Sequence, residues 1–136
     1  MARLILDSGI LIDAARQRLP AGAIGEEDDV AVPALAITEY QVGLRLDPNP
    51  ARRAAHSAFL AEFLAVTPVV DYTASVVEHH AELLAHLQRT GQVRGAHDLI
   101  IAATARATGR TLVTTDGRAR FEELPEVEVR LLERIG

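Results

Sequence analysis

The stretch DLIIAATARATGRTLVTTD, running from Asp98 to Asp116, decides the fold class. Asp98 opens an apolar helical segment that continues to Thr108. Gly109 stops it, as glycine does where a helix must end in a left-handed turn. The chain resumes as Thr111-Leu112-Val113-Thr114, three β-favouring residues and an apolar leucine, and meets a second acid at Asp116. Helix, tight turn, short apolar strand and an acid beyond the strand form one half of a βαβ unit.

The same grammar extends in both directions. Towards the N-terminus, Arg3 to Leu6 is a short apolar run ending at Asp7 and reads as a buried strand. Helical spacing is expected over Ile10 to Leu19, then a loop over Pro20 to Asp29 and a strand over Val30 to Val32. A helix over Ala34 to Leu46 is stopped by Asp47-Pro48-Asn49-Pro50, a strong breaker. Further segments are a helix over Ala51 to Ala65, a strand at Pro68 to Val70, and a long amphipathic helix over Thr73 to Thr90. Beyond Asp116 come a short helix over Arg118 to Leu124 and a last strand over Val127 to Leu132. Short apolar strands alternate with helices throughout, which predicts an α/β fold: a parallel sheet sandwiched by helices. In such sheets the binding crevice lies at the carboxyl ends of the strands.

Composition narrows the function classes. The 136 residues suit a single domain over 1–136, long enough to bury roughly two-thirds of its unfolded surface. Cysteine is absent, which excludes disulfides and thiolate metal sites. No apolar run approaches the ~18 residues of a membrane span. Asp7 interrupts any signal-peptide core, so a cytoplasmic protein is expected. The net charge of -5 gives no general attraction for nucleic acid. All 14 basic residues are arginine. Arginine binds phosphate bidentately, although a GC-rich genome explains the same bias.

Four acids stand out by position. Asp7 follows the first strand and precedes Ser8, a place also suited to a helix cap. Glu39 has Leu35, Ala36, Val42 and Gly43 three and four residues away, all apolar or small. That places its carboxylate in a stripe expected to face the core, where a charge needs a partner or a metal. Asp98 sits at the mouth of an apolar helix, where an N-cap also fits. Asp116 precedes Gly117, as in an ordinary turn. Converging carboxylates raise one another's pKa values, and a divalent cation relieves the repulsion. Oxygen-only ligands suit Mg²⁺ or Mn²⁺. Ser8 and Thr114 are placed to hold carboxylates or water. Arg94, Arg118 and Arg120 flank the acids in sequence and are candidates for phosphate contact, or ordinary surface arginines. His79, His80 and His86 share one helix without the four-residue spacing of zinc motifs.

These residues resemble the PIN-domain nucleases, especially the VapC toxins of bacterial VapBC toxin–antitoxin pairs. The matching pieces are Leu6-Asp7-Ser8, Thr38-Glu39, Asp98-Leu99-Ile100-Ile101-Ala102-Ala103-Thr104-Ala105 and Leu112-Val113-Thr114-Thr115-Asp116, with Phe121 downstream. They span essentially the whole chain in the family's order. The resemblance implies a PIN-like fold and Mg²⁺- or Mn²⁺-dependent RNA cleavage at Asp7, Glu39, Asp98 and Asp116. Asp7 and Asp98 would be the firmest ligands, with Glu39 and Asp116 completing the site directly or through water. It further implies a homodimer and a cognate VapB-type antitoxin. A haloacid-dehalogenase-like phosphatase would need an acid at position 9, which is glycine. A phospho-receiver domain would want a lysine. A PIN-like module that only binds RNA or protein remains the alternative.

Overall fold

The computed structural model describes residues Met1 to Gly136 and contains the expected alternation. In chain order the elements are β1 (Arg3–Leu6), α1 (Ser8–Ala15), β2 (Asp29–Pro33), α2 (Ala34–Leu46), α3 (Pro50–Val66) and β3 (Val69–Val70). Then follow α4 (Ala74–Thr90), α5 (Ala96–Thr108), β4 (Thr111–Thr114) and β5 (Val129–Leu131). Two short 3-10 turns, Gly117–Ala119 and Phe121–Glu123, lie between β4 and β5.

All strand pairs are parallel, and the sheet order is β3-β2-β1-β4-β5. Successive strand side chains point to opposite faces, and the two cores divide on that alternation. Leu4 and Leu6 of β1 and Val113 of β4 join Ile10, Leu11, Ala36, Tyr40 and Leu60 on the face covered by α1, α2 and α3. Ile5 and Leu112 join Val76, Leu83, Leu87, Leu99 and Ile101 on the face covered by α4 and α5. Leu4, Ile5, Ile10, Leu83 and Ile101 have no exposed surface, and each such side chain contributes about 1.5–3 kcal/mol by leaving water.

The chain builds outward from β1 through β2 to β3, then returns to place β4 on the other side of β1. The order therefore reverses between β1 and β4, and a crevice opens at their carboxyl ends. Gly109 takes the left-handed conformation, φ +63°, and its neighbour Arg110 donates to Ala105 O at 3.0 Å. That turn swings the chain from α5 directly into β4.

Several boundaries differ from the sequence expectation for local reasons. The first helix starts at Ser8, because Asp7 caps it, and ends at Ala15 rather than Leu19. Helix α5 begins two residues before Asp98, with Gly95 at its N-cap and Asp98 in its first turn. Asp98 is therefore not the cap. The segment expected as one helix over Arg118 to Leu124 is broken at Arg120, whose φ of 49° is left-handed. The last strand covers Val129–Leu131 alone.

Candidate active site at the carboxyl edge of the sheet

Four segments deliver the four acids to one open cleft of about 570 Å³. Asp7 comes from the end of β1, Glu39 from α2, Asp98 from the first turn of α5 and Asp116 from the loop after β4.

Asp7 is the most enclosed, with 6 % of its surface exposed. Its backbone N–H donates to Val113 O at 3.0 Å, so the β1–β4 ladder fixes its position. Oδ1 accepts the Ser8 N–H at 2.8 Å. Oδ2 accepts the Thr114 hydroxyl, also at 2.8 Å. Burial pushes the Asp7 carboxyl above its ordinary pKa, the bonds from Thr114 and Ser8 pull it part of the way back, and the charge of Asp116 adds to the rise. Thr114 is itself buried, and its Oγ1 also accepts the Asp116 N–H at 3.0 Å. One hydroxyl thus couples two of the acids.

Asp98 is half-buried. Desolvation raises its pKa, followed by the negative charges of Asp7, Asp116 and Glu39, while His97 lowers it. Every other acid of the set therefore acts on this carboxylate. Gly95 makes room for it, since a Cβ there would stand 3.1 Å from Asp98 Oδ2.

Glu39 lies at the rim rather than in the core. Val42 and Gly43 of its expected apolar stripe are exposed, and the buried positions of α2 are Ala36 and Tyr40. Its Oε1 is nevertheless enclosed without any hydrogen-bond partner. Its Oε2 stands 3.8 Å from His97 Nδ1, a contact made across α2 and α5. Asp116 is exposed, and its Oδ1 accepts the Arg118 and Ala119 N–H groups at 3.0 and 3.3 Å, forming the turn that the Asp-Gly pair suggested.

No three of these acids close around a point at ligand distance. They nevertheless fit a hydrated divalent ion. The donors are all carboxylate oxygens, one of them is enclosed and unpartnered, and the electrostatic cost of the cluster falls when positive charge enters. Mg²⁺ characteristically takes one or two carboxylates and keeps several waters.

The arginines divide. Arg118 lines the cleft. Arg94 is turned into the protein, with 6 % of its side chain exposed. Its Nη1 donates to the carbonyls of Ala119 and Arg120 at 2.6 and 2.8 Å, holding the two 3-10 turns in place. Arg120 stands 3.8 Å from Glu123 and does not line the cleft. His79, His80 and His86 sit on α4 and form no metal-binding group.

Sequence reading missed a second charged group. Asp13 of α1 is 2 % exposed, and its Oδ2 accepts the Thr115 hydroxyl at 2.7 Å and Arg134 Nε at 2.9 Å. Its signal was present: Asp13 lies three residues after the buried Ile10, on the helix face turned to the sheet.

Comparisons with known proteins agree with this architecture. Ribonuclease VapC2 of Rickettsia felis is 25 % identical over 76 % of this chain and 75 % of that protein. Ribonuclease VapC of Rickettsia bellii is 24 % identical over 93 % of each. The crystal structure of VapBC2 from Rickettsia felis, bound to a promoter DNA fragment, superposes with a TM-score of 0.83 at 22 % identity, covering 96 % of this chain and 99 % of that one. VapBC-5 from Mycobacterium tuberculosis gives 0.78 at 22 % identity, over 98 % and 99 %. The family model of the PIN domain matches residues 4–127, a span that holds both cores and all four acids of the cleft, and the chain belongs to that family.

Proposed function

We propose that residues 1–136 act as a single metal-dependent endoribonuclease unit, the toxin of a type II toxin–antitoxin pair, and that Asp7, Glu39, Asp98 and Asp116 form its catalytic site. The observation that carries this reading is the setting of Asp98. Its carboxylate shares one cleft with the other three acids and feels all of their charges. A fold gains nothing in stability from such a cluster, whereas cation binding gains from it.

Asp7 and Asp98 would hold a Mg²⁺ or Mn²⁺ ion, with Asp116 as a third ligand and Glu39 beside it, directly or through water. When bound, the ion lowers the pKa of a water molecule and offsets charge gathering on the phosphoryl oxygens. The protein's part is positional. Thr114 and Ser8 fix Asp7 with both oxygens engaged. Thr114 also ties the backbone of Asp116 to the same frame. Glu39 Oε1 is enclosed and unpartnered, an oxygen that a ligand entering the site would satisfy. Arg118 on the cleft wall is placed to contact RNA phosphate.

The relatives named as VapC ribonucleases, and the solved VapBC assemblies, support RNA as substrate and a VapB-type antitoxin as partner. A homodimer in the cytoplasm completes the reading. No helix is long and apolar enough to cross a membrane.

The test is cleavage of total cellular RNA by purified protein with Mn²⁺ or Mg²⁺, and with EDTA, beside Asp98→Asn. Metal-dependent cuts absent from the variant support the assignment. Equal behaviour of the two proteins, together with no metal binding by calorimetry, leaves a PIN-like binding module instead.

A further inference from the structure

An acidic cleft that receives RNA needs donors for the phosphates, and this one has only two cationic residues on its wall, Arg118 and Arg134. Arg134 lies beyond residues 4–127 matched by the family. Its segment is tied down on both sides: the Leu132 N–H donates to Thr114 O, and the Ile135 N–H to Arg18 O, each at 2.8 Å. Its Nε donates to Asp13 Oδ2 at 2.9 Å, and its Nη2 lies 3.5 Å from Thr115 Oγ1. Asp13 is enclosed, yet 54 % of the Arg134 side chain is exposed.

This is an unequal ion pair. A buried carboxylate requires a partner, and one edge of the guanidinium supplies it. Because the guanidinium is planar, engaging Nε fixes the orientation of the whole group. Nη1 has no acceptor within the protein. The result is a pre-oriented fork on the wall of the cleft that holds the four acids. The Asp13–Arg134 pair is neutral overall, so it offers directed hydrogen bonds rather than a long-range field.

We propose that Arg134 is a substrate-contacting residue, donating to the non-bridging oxygens of a phosphate of the RNA strand in the cleft. Asp13 and Thr115 are positioning residues that hold its guanidinium. This inference rests on the nuclease reading above, and it gives the acidic site a built phosphate donor that comes from outside the matched domain span.

The experiment compares wild type, Arg134→Gln, Arg134→Lys and the charge-balanced double variant Asp13→Asn with Arg134→Gln, on a short single-stranded RNA with Mn²⁺. Arg134→Gln raises KM by about tenfold or more, as expected for one lost charge-assisted hydrogen bond, with a smaller change in kcat. RNA affinity is measured against salt on the Asp98→Asn background, where cleavage is blocked. There the slope of log affinity against log salt becomes shallower by about 0.7 for one lost phosphate contact on a single strand. Arg134→Lys keeps the charge and the contact with Asp13, so it restores the slope while leaving KM raised. The double variant reproduces the KM of Arg134→Gln without stranding a buried charge. Unchanged KM and slope in the double variant, whatever happens to the melting temperature, make Arg134 a structural tie and overturn the proposal. Failure of the nuclease reading shows separately, as wild-type protein that does not cleave RNA with metal.

Discussion

Replacing Thr114 by valine tests how the site is held together. Valine keeps the shape of a residue that is only 1 % exposed, and it removes the hydroxyl. Two hydrogen bonds go with it: the donation to Asp7 Oδ2 at 2.8 Å and the acceptance from Asp116 N–H at 3.0 Å. The first is made to a charged group and is worth about 1.5–3 kcal/mol, the second about 0.5–1 kcal/mol, so the expected loss is about 2–4 kcal/mol. For a chain of this length that lowers the melting temperature by roughly 6–15 °C. The loss depends on pH. The Thr114 bond favours the ionised form of Asp7, whose pKa burial has already raised. Above the folded pKa of Asp7 the full penalty is present. As pH falls through that pKa, Asp7 becomes protonated in both proteins and the difference narrows. Denaturant unfolding as a function of pH from 8 downward, without divalent ions, measures both effects. The acid limb of the cleavage rate moves to higher pH in the variant, because Asp7 loses support for its charged form. Thr114→Ser restores the pH dependence at the cost of one methyl, about 1 kcal/mol. A valine variant within about 0.5 kcal/mol of wild type at pH 8, or one whose deficit does not shrink as pH falls through the titration of Asp7, refutes this account.

Two further substitutions separate charge from shape. Asp98 has a folded pKa above its unfolded value, so its ionised form opposes folding once pH exceeds the unfolded pKa; Asp98→Asn therefore raises stability at pH 8 in EDTA, and with it the melting temperature, by no more than about 1 kcal/mol of free energy because the group is half-exposed and screened. With Mg²⁺ present the order reverses, since wild type gains about 2.7 kcal/mol at a hundredfold excess over Kd and the variant gains less; a variant melting below wild type in EDTA contradicts the repulsion argument. Asp116→Asn keeps an oxygen to cap the Arg118 and Ala119 N–H groups, so its stability stays within about 0.5 kcal/mol of wild type. Its kcat falls about 10–100-fold if the acid supports the ion directly or through water, and wild-type turnover would make it a turn residue only.

The fold was readable because its determinants are local. The short apolar runs at Arg3 to Leu6 and Thr111 to Thr114 need no tertiary knowledge to be read as buried strands, and the two cores divide along their alternate side chains. Gly109 and the breaker at Asp47 to Pro50 mark ends that the structure keeps. Boundaries failed where a side chain reaches across the fold to decide them. The region after Asp116 reads as a helix by composition, yet Asp116 Oδ1 closes a tight turn and Arg94, from before α5, pins the next carbonyls. Glu39 was misplaced for a related reason. Apolar neighbours on a helix define a core face only where another element covers them, and along this part of α2 Val42 and Leu46 are left exposed.

The candidate site was readable in its acids and opaque in its supports, and the difference is physical. A hydrated Mg²⁺ ion accepts few ligand types, so carboxylates at strand ends are conspicuous against the rest of the chain. The groups that hold them face no such restriction. A threonine inside a strand, Thr114, looks like any β-favouring residue, and only the parallel register of β1 against β4 places its hydroxyl on Asp7. Asp13 and Arg134 are 121 positions apart, and nothing local announces their pairing. An acid on the buried face of a helix nevertheless obliges a partner somewhere in the chain. For Asp13 that partner comes from the last few residues and stands on the wall of the cleft that holds the acids. The burial of one carboxylate thus fixes where a second cation of the cleft must be, and it ties the end of the chain to the site.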